Sequence, residues 1–398
     1  MVSVCFYFQL HQPYRIRHYR VFDIGKENNY FDDEKNKKIL EKVTRKCYIP
    51  ATKKFVELLK RYPQFKLSFS FSGVLLEQLE SQFPEVISLF KEALKTKRVE
   101  ILGETYYHSL AFLYSKKEFD AQLKLHEKKI RKLFGVKPKV FRNTELIYNN
   151  ELAKHIENLG YEGIITEGTE KILGWRSPNF VYKPIGTQKI KVLLKNYQLS
   201  DDIAFRFSSR DWKEWPLTAE KFANWISKIN GNGTHVNLFM DYETFGEHQW
   251  EDTGIFDFIT RLPEEILKHS DNNFKTPSEI IKDYNAVGEI DCPYFISWAD
   301  VERDLTAWKG NPMQESALKK LYSLENNVLK TRNKKLIEDW RKLTTSDHFY
   351  YMCIKWFNDG DVHKYFSPYE SPYDAFISFM NILEDIEFRV RELSKKKK

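Results

Sequence analysis

Residues Val2 to Leu10 form an apolar and aromatic run that stops at His11-Gln12-Pro13, where the proline ends strand pairing. Beyond it the hydrophobic pattern moves between two periods. Asp33 to Tyr62 repeats like a helix, with a break expected at Pro50, and Lys66 to Phe71 (KLSFSF) alternates with period two. Helical periods follow near Val74–Gln82 and Pro84–Thr96, then a short strand over Arg98–Leu102 and an amphipathic helix over Lys117–Phe134. Lys139–Asn143, Ile164–Thr166, Val192–Leu194 and Val236–Asp241 read as further strands, and Glu151–Leu159 as a helix closed by Gly160. Buried strands alternating with helices predict an α/β fold with a parallel sheet covered by helices. The polar motifs lie where strands run out. Active sites of parallel α/β barrels are built from those C-terminal strand ends, so His11, Glu104, Glu145 and Asp241 are expected to face one cleft. From about Met313 the strand signals vanish, and Gln314–Arg341 reads as one or two long amphipathic helices and Tyr369–Leu393 as another. The pattern therefore predicts a barrel domain over 1–312 and a helical domain over 313–398.

Composition narrows the function. The chain has 398 residues, 42% of them hydrophobic, enough for a sizeable core and too apolar for wholesale disorder. Its net charge of +7 owes part to the terminal run Lys395–Lys398 and gives no reason to expect a nucleic-acid partner. Aromatic content is 15%, and Trp or Tyr near charged motifs can stack on sugar faces while hydrogen-bonding hydroxyls. Cys5, Cys47, Cys292 and Cys353 are scattered, which argues for buried thiols in a reducing compartment over a zinc ribbon or disulfide framework. No basic, cleavable leader and no run of 18 apolar residues is present, so the expectation is a cytoplasmic protein without a membrane partner. The Lys/Glu-rich composition fits work at high temperature.

Several clusters carry candidate chemistry. Cleaving a glycosidic bond takes two carboxyl groups flanking it, roughly 5–5.5 Å apart in retaining enzymes. Glu145, in Phe141-Arg142-Asn143-Thr144-Glu145-Leu146, and Asp241, in Asp241-Tyr242-Glu243-Thr244-Phe245-Gly246-Glu247-His248, both follow strands. If the first strand continues, Asn143 and Glu145 share a face. Arg142 could keep Glu145 ionised, or form a plain structural pair with it. Asp241 and Glu243 would likewise share a face, and two carboxylates in one pocket raise one pKa, as a general acid requires; the alternative is a solvated helix cap. Glu104 and His108, four apart, would share a helix face as metal ligands, or bind sugar hydroxyls from a turn, or form a structural hydrogen bond. In Ser297–Trp308, Asp300 and Asp304 would share a helical face, with Trp298 and Trp308 as sugar platforms or as packing at the domain border.

In this order these motifs resemble glycoside hydrolase family 57, along most of the first 310 residues. The carriers are His11-Gln12-Pro13, Gly103-Glu104-Thr105-Tyr106-Tyr107-His108-Ser109, Phe141 to Leu146, Asp241 to Gly246, and Trp298 to Trp308. The resemblance implies an incomplete (β/α)7 barrel followed by an α-helical domain. It implies Glu145 as nucleophile and Asp241 as acid/base, with His11, Gln12, Glu104, His108, Arg142, Glu243, Trp298, Asp300, Asp304 and Trp308 binding substrate. The metal-binding patterns of the related deacetylases and mannosidases, His-x-x-x-His and His-x-Asp, are missing, so neither a metal nor another cofactor is expected. The compact length and motif three look most like the short α-amylase-like members. The leading reading is therefore retaining hydrolysis of α-1,4-glucan. Alternatives are a 4-α-glucanotransferase or branching-type transglycosylase, an α-galactosidase, a metal-dependent deacetylase or mannosidase, and a glycogen-binding protein with a decayed site. Oligomeric state is not legible in the sequence.

Overall fold

A computed structural model describes residues 1–355 and 367–395. The chain forms two compact units, the first from 1–11, 40–104 and 125–298, the second from 12–39, 105–124 and 299 onward. The sequence pattern places one boundary, at 312, whereas each unit here gathers three segments.

The first unit is built on parallel strands. β1 (Val2–Leu10) lies between β2 (Leu67–Phe71) and β8 (His235–Asp241); β3 (Val99–Ile101) extends the sheet beyond β2, and β9 (Asn272–Phe274) pairs with the start of β1. A second sheet runs β4 (Val140–Arg142), β5 (Gly163–Glu167), β7 (Lys191–Lys195). A small ribbon pairs β6 (Lys183–Pro184) with β10 (Glu289–Ile290). Two seams join the sheets. Just past β3, Gly103 bridges to β4, its N–H donating to the Val140 carbonyl at 2.9 Å. Between β7 and β8, the Asn196 N–H donates to the Asn237 carbonyl at 2.9 Å and the Asn237 side chain to the Leu194 carbonyl at 2.8 Å, with no ladder among the described residues. The result is an incomplete ring of seven parallel strands, β1 to β5 with β7 and β8.

Strand alternation sets two layers. Outward, Phe6 and Phe8 of β1 meet Phe55, Phe65, Phe69, Tyr242, Phe245 and Phe274. Inward, Tyr7, Leu102, Val140, Ile165, Leu193 and Phe239 share one buried cluster with Ile280 and Ile281 of the helix Pro277–Asp283. That helix starts on a Thr276–Glu279 capping box with Pro277 at its first turn. It sits against the N-terminal strand ends: the Lys191 ammonium donates to the Ile281 carbonyl, and a side chain on Gly163 would strike Ile281 at 2.0 Å.

One expectation needs correcting here. The helix containing Pro50 does not break there. It runs through Asp33–Val43 and Ile49–Arg61, joined by a wider π-helical turn at Thr44–Tyr48 in which the Ile49 N–H bonds the Thr44 carbonyl. Proline has no N–H for the carbonyl four residues back, and its ring crowds that carbonyl; the wide turn opens the helix where Pro50 requires it.

The second unit is largely helical, with Pro312–Ser323, Glu325–Thr331, Lys334–Lys342, Ser346–Tyr350 and Pro372–Lys395. The region read as one or two long helices is thus three. Arg332 adopts a left-handed conformation (φ 58°), and Asn333 caps the next helix by accepting the Leu336 N–H. The arm 12–39 belongs to this unit because buried Asp385 takes the Tyr30 hydroxyl and the Gly25 N–H. No helix among the described residues is long and apolar enough to cross a membrane.

Candidate active site

Six strands end alike. Two residues beyond the inward apolar residue, each carries a polar or charged one: Gln9 after Tyr7, Glu104 after Leu102, Arg142 after Val140, Glu167 after Ile165, Lys195 after Leu193, and Asp241 after Phe239. Alternation turns all six toward the ring interior, one storey above the apolar cluster. On β2, Ser70 fills the same storey, accepting or donating to the Tyr7 hydroxyl at 2.6 Å and donating to Gln9 at 2.9 Å. Gln9 in turn donates to both Glu104 oxygens at 3.4 Å and stands in register beside Asp241. Burial pushes the Tyr7 hydroxyl far above its ordinary pKa; Arg142 opposes this, and Glu104 and Asp241 reinforce it. Three charged side chains from three strands therefore act on one buried hydroxyl, which sets Asp241, Glu104 and Arg142 in one neighbourhood.

Glu145 does not lie on a continued strand. β4 stops at Arg142, and Glu145 and Leu146 both take left-handed conformations (φ 56° and 51°). Such backbone costs about 1–3 kcal/mol per residue and clusters at functional sites. Asn143 does not share a face with Glu145: its amide donates to the Ile147 carbonyl and closes the turn. Trp298 holds Glu145 twice, by a backbone N–H to the Glu145 carbonyl (3.2 Å) and by the indole N–H to carboxylate Oε2 (2.8 Å). Two cations lie against that indole, the fully buried Arg142 guanidinium at 5.2 Å and the Lys195 ammonium at 5.6 Å from the ring centre.

After Asp241 the chain leaves the strand for a 3-10 turn, Tyr242–Thr244, so Asp241 and Glu243 do not share a face as a continued strand would have them. Half-buried Asp241 ends the inward row. Tyr242 joins the outer aromatic layer, while Glu243, 6% exposed, accepts the Tyr48 hydroxyl from the π-helical turn. His11 shares a 2.7 Å hydrogen bond with Ser72, the N-cap of the helix Gly73–Gln82. His126 supports Glu104: its Nδ1 accepts the Glu104 N–H (3.5 Å), so its Nε2 carries the proton and donates to the Phe71 carbonyl (2.8 Å). Burial lowers its pKa, although Glu104 opposes that. Among the described residues no three His, Cys, Asp or Glu side chains converge as metal ligands.

The sequence profile of glycosyl hydrolase family 57 matches residues 5–293, which takes in all of this ring but the first three residues of β1. The chain belongs to that family. A Methanocaldococcus jannaschii protein provisionally named an alpha-amylase is 45% identical over 98% of this chain and 85% of its own length. An alpha-amylase of Pyrococcus horikoshii is 25% identical over 50% of this chain and 33% of its own length, so the chain spans about a third of that relative. Two solved structures share the fold. A family 57-type branching enzyme from Pyrococcus horikoshii superimposes with a TM-score of 0.69 at 17% identity, covering 96% of this chain and 88% of that one. A 4-alpha-glucanotransferase from Thermococcus litoralis gives 0.68 at 18% identity, covering 87% of this chain and 56% of that one.

Of the residues that the family 57 motifs single out, His11, Glu104, Arg142, Glu145, Asp241, Glu243 and Trp298 fall in the first unit, and Gln12, His108, Asp300, Asp304 and Trp308 in the second. Gln12 accepts from Arg15 at 3.1 Å. His108 sits in a turn (φ 50°), not on a helix, so it shares no helical face with Glu104; its carbonyl accepts the Ser346 N–H. Asp300 and Asp304 share no helical face either. Asp300 lies in a turn (φ 54°) facing Lys355 at 3.4 Å, and Asp304 accepts the Thr306 N–H and hydroxyl at the start of the helix Thr306–Lys309. Trp308 is 1% exposed and packs on Tyr350, so it offers no ring face for stacking. Sequence reasoning missed Gln9, Glu167 and Lys195. Their signal was present: GIITE and KVLLK each end an apolar strand on a charge, two residues past an inward position.

Proposed function

We propose that this family 57 protein is a retaining glycoside hydrolase of α-amylase type, acting on α-1,4-glucans with Glu145 as nucleophile and Asp241 as acid/base. The observation that carries the reading is the indole N–H of Trp298 on Glu145, backed by two cations. A donor to the charged form keeps a carboxylate ionised, the state a nucleophile needs. Asp241 ends β8 on the inward row, in register beside Gln9, which also bonds the Glu104 carboxylate, so a second acid lies one amide away from the proposed acid/base. Glu145 attacks the anomeric carbon as its bond to the leaving oxygen breaks, and Asp241 gives that oxygen its proton. Asp241 then takes a proton from water, whose oxygen attacks the same carbon and releases Glu145. His11, Glu104 and Trp298 are read as sugar-binding groups, and Arg142, with no exposed surface, as a support for Trp298. Four free, buried thiols fit a reducing compartment, and the cytoplasm is the location we propose.

The test is turnover of maltoheptaose and soluble starch with product sizing. Asp241→Asn is expected to lose about 10²–10⁴-fold in kcat. Glu145→Ala should lose at least about 10⁴-fold, with partial rescue by azide giving a β-glycosyl azide. Both should keep the wild-type circular dichroism spectrum. Full activity in either variant would refute the assignment. Transfer to another sugar, in place of water, uses the same intermediate. This second reading draws on the relatives named as a glucanotransferase and a branching enzyme. Disproportionation ladders from maltoheptaose would favour it; steady shortening favours hydrolysis.

A further inference from the structure

Lys195 occupies a costly position. It is 4% exposed, at the end of a strand, directly above the apolar cluster. A buried ammonium is tolerated only when paired, and Lys195 is paired twice, with Asp201 at 3.0 Å and Glu167 at 3.5 Å. Glu167 is fixed in turn by the Gly168 N–H at 2.8 Å. The cluster therefore spends two carboxylates on holding one cation. The held cation lies against Trp298, at 5.6 Å from its centre, and Trp298 directs its N–H onto Glu145 at 2.8 Å. Arg142 lies against the same ring. A cation at an aromatic face attracts the ring and draws electron density from it, which both fixes the indole and strengthens its N–H as a donor.

We propose that Lys195 is a positioning residue for Glu145, acting through Trp298: anchored by Asp201 and Glu167, it holds the indole where the ring N–H meets the carboxylate. The inference rests on the reading of Glu145 as nucleophile. It gives Lys195, Glu167 and Asp201 a shared task that neither the family motifs nor the names of the relatives assign.

The experiment measures kcat and KM on maltoheptaose across pH for wild type, Lys195→Met, Lys195→Arg, Trp298→Phe and the double variant Lys195→Met/Trp298→Phe. Thermal unfolding is followed on each. Removing a group that orients a reacting one costs roughly 10–100-fold. Lys195→Met should lose that much in kcat with KM nearly unchanged, and the acid limb of its profile should move up by about one pH unit. Lys195→Arg should recover most of the loss, since guanidinium can pair with both carboxylates and stack on the ring. Trp298→Phe should show the same displaced limb, and Lys195→Met should add almost nothing to it. An unmoved acid limb in Lys195→Met, or additive losses in the double variant, overturns the proposal. If Lys195→Met does not fold, Asp201→Asn loosens the same anchor and should displace the limb in the same direction by less; no displacement there is equally fatal. Turnover by Glu145→Ala would remove the premise, whereas an inactive Glu145→Ala beside an unmoved Lys195→Met profile removes this inference alone.

Discussion

His126 has both ring nitrogens engaged with backbone, one at Glu104 and one at Phe71. Replacing it with phenylalanine keeps most of the volume and strands two buried backbone groups. His126→Phe should therefore cost about 2–6 kcal/mol, at about 1–3 kcal/mol for each group left unpaired. Urea unfolding measures it, and a loss under about 1 kcal/mol would mean that water or a shifted neighbour takes over both bonds. Glu104 stood out in the sequence because it follows a strand and a glycine. His126 did not, because it sits mid-helix, 22 residues away, in a period that reads as ordinary amphipathic packing. Lys195 was hidden for the opposite reason: a lysine closing a strand looks like a solvated end until the ring folds it inward.

At the scale of elements, apolar strands were plain from period and composition, and the strand ends placed Glu104, Glu145 and Asp241 at one end of the ring. What hydrophobic period cannot encode is where regular backbone stops. The left-handed pair Glu145–Leu146 and the 3-10 turn at Tyr242 follow directly on predicted strand ends, and the π-helical turn at Thr44–Tyr48 falls inside a helical period; the pattern gives none of these three shapes. The last two depend on each other. Cys47 donates to the Tyr242 carbonyl at 3.2 Å, Tyr48 donates to Glu243, and Gly246 (φ 114°) approaches the Lys46 carbonyl so closely that a β-carbon would lie 2.0 Å from it. Gly246→Ala meets both backbone strain and a clash with a fixed carbonyl, and should cost about 3 kcal/mol or more. A thermal midpoint within a degree or two of wild type would show that the loop can retreat from the helix.

At the scale of the whole molecule, three buried imidazoles weaken the fold in acid. Burial lowers the pKa of His126, takes His248 to about 4 and takes His235 to about 3, against an ordinary value of 6.5. The folded chain refuses protons that the unfolded chain accepts, so stability is fully present above pH 6.5. It falls as pH drops from there and levels only near the lowered values. Buried Glu118 and Asp339, whose pKa values are raised by burial, act in the opposite sense closer to the carboxylate range. A single variant isolates the effect: His235→Gln should lose about 2 kcal/mol less than wild type between pH 7 and 5 by urea unfolding. Equal losses would mean that His235 is not neutral in the fold.

The charged storey of the ring has a further consequence. Its members owe their direction to strand pleat alone, so they stand or fall with pairing register. A slip of one residue in β4 would aim Phe141 inward in place of Arg142; in β5, Thr166 for Glu167; in β7, Leu194 for Lys195; in β8, Met240 for Asp241. Every such error swaps a charge or its partner for grease or a hydroxyl, so a misaligned ring would be left with unmatched charges at its mouth. The charged groups at the strand ends thus double as a proofreading mark for the barrel's own alignment.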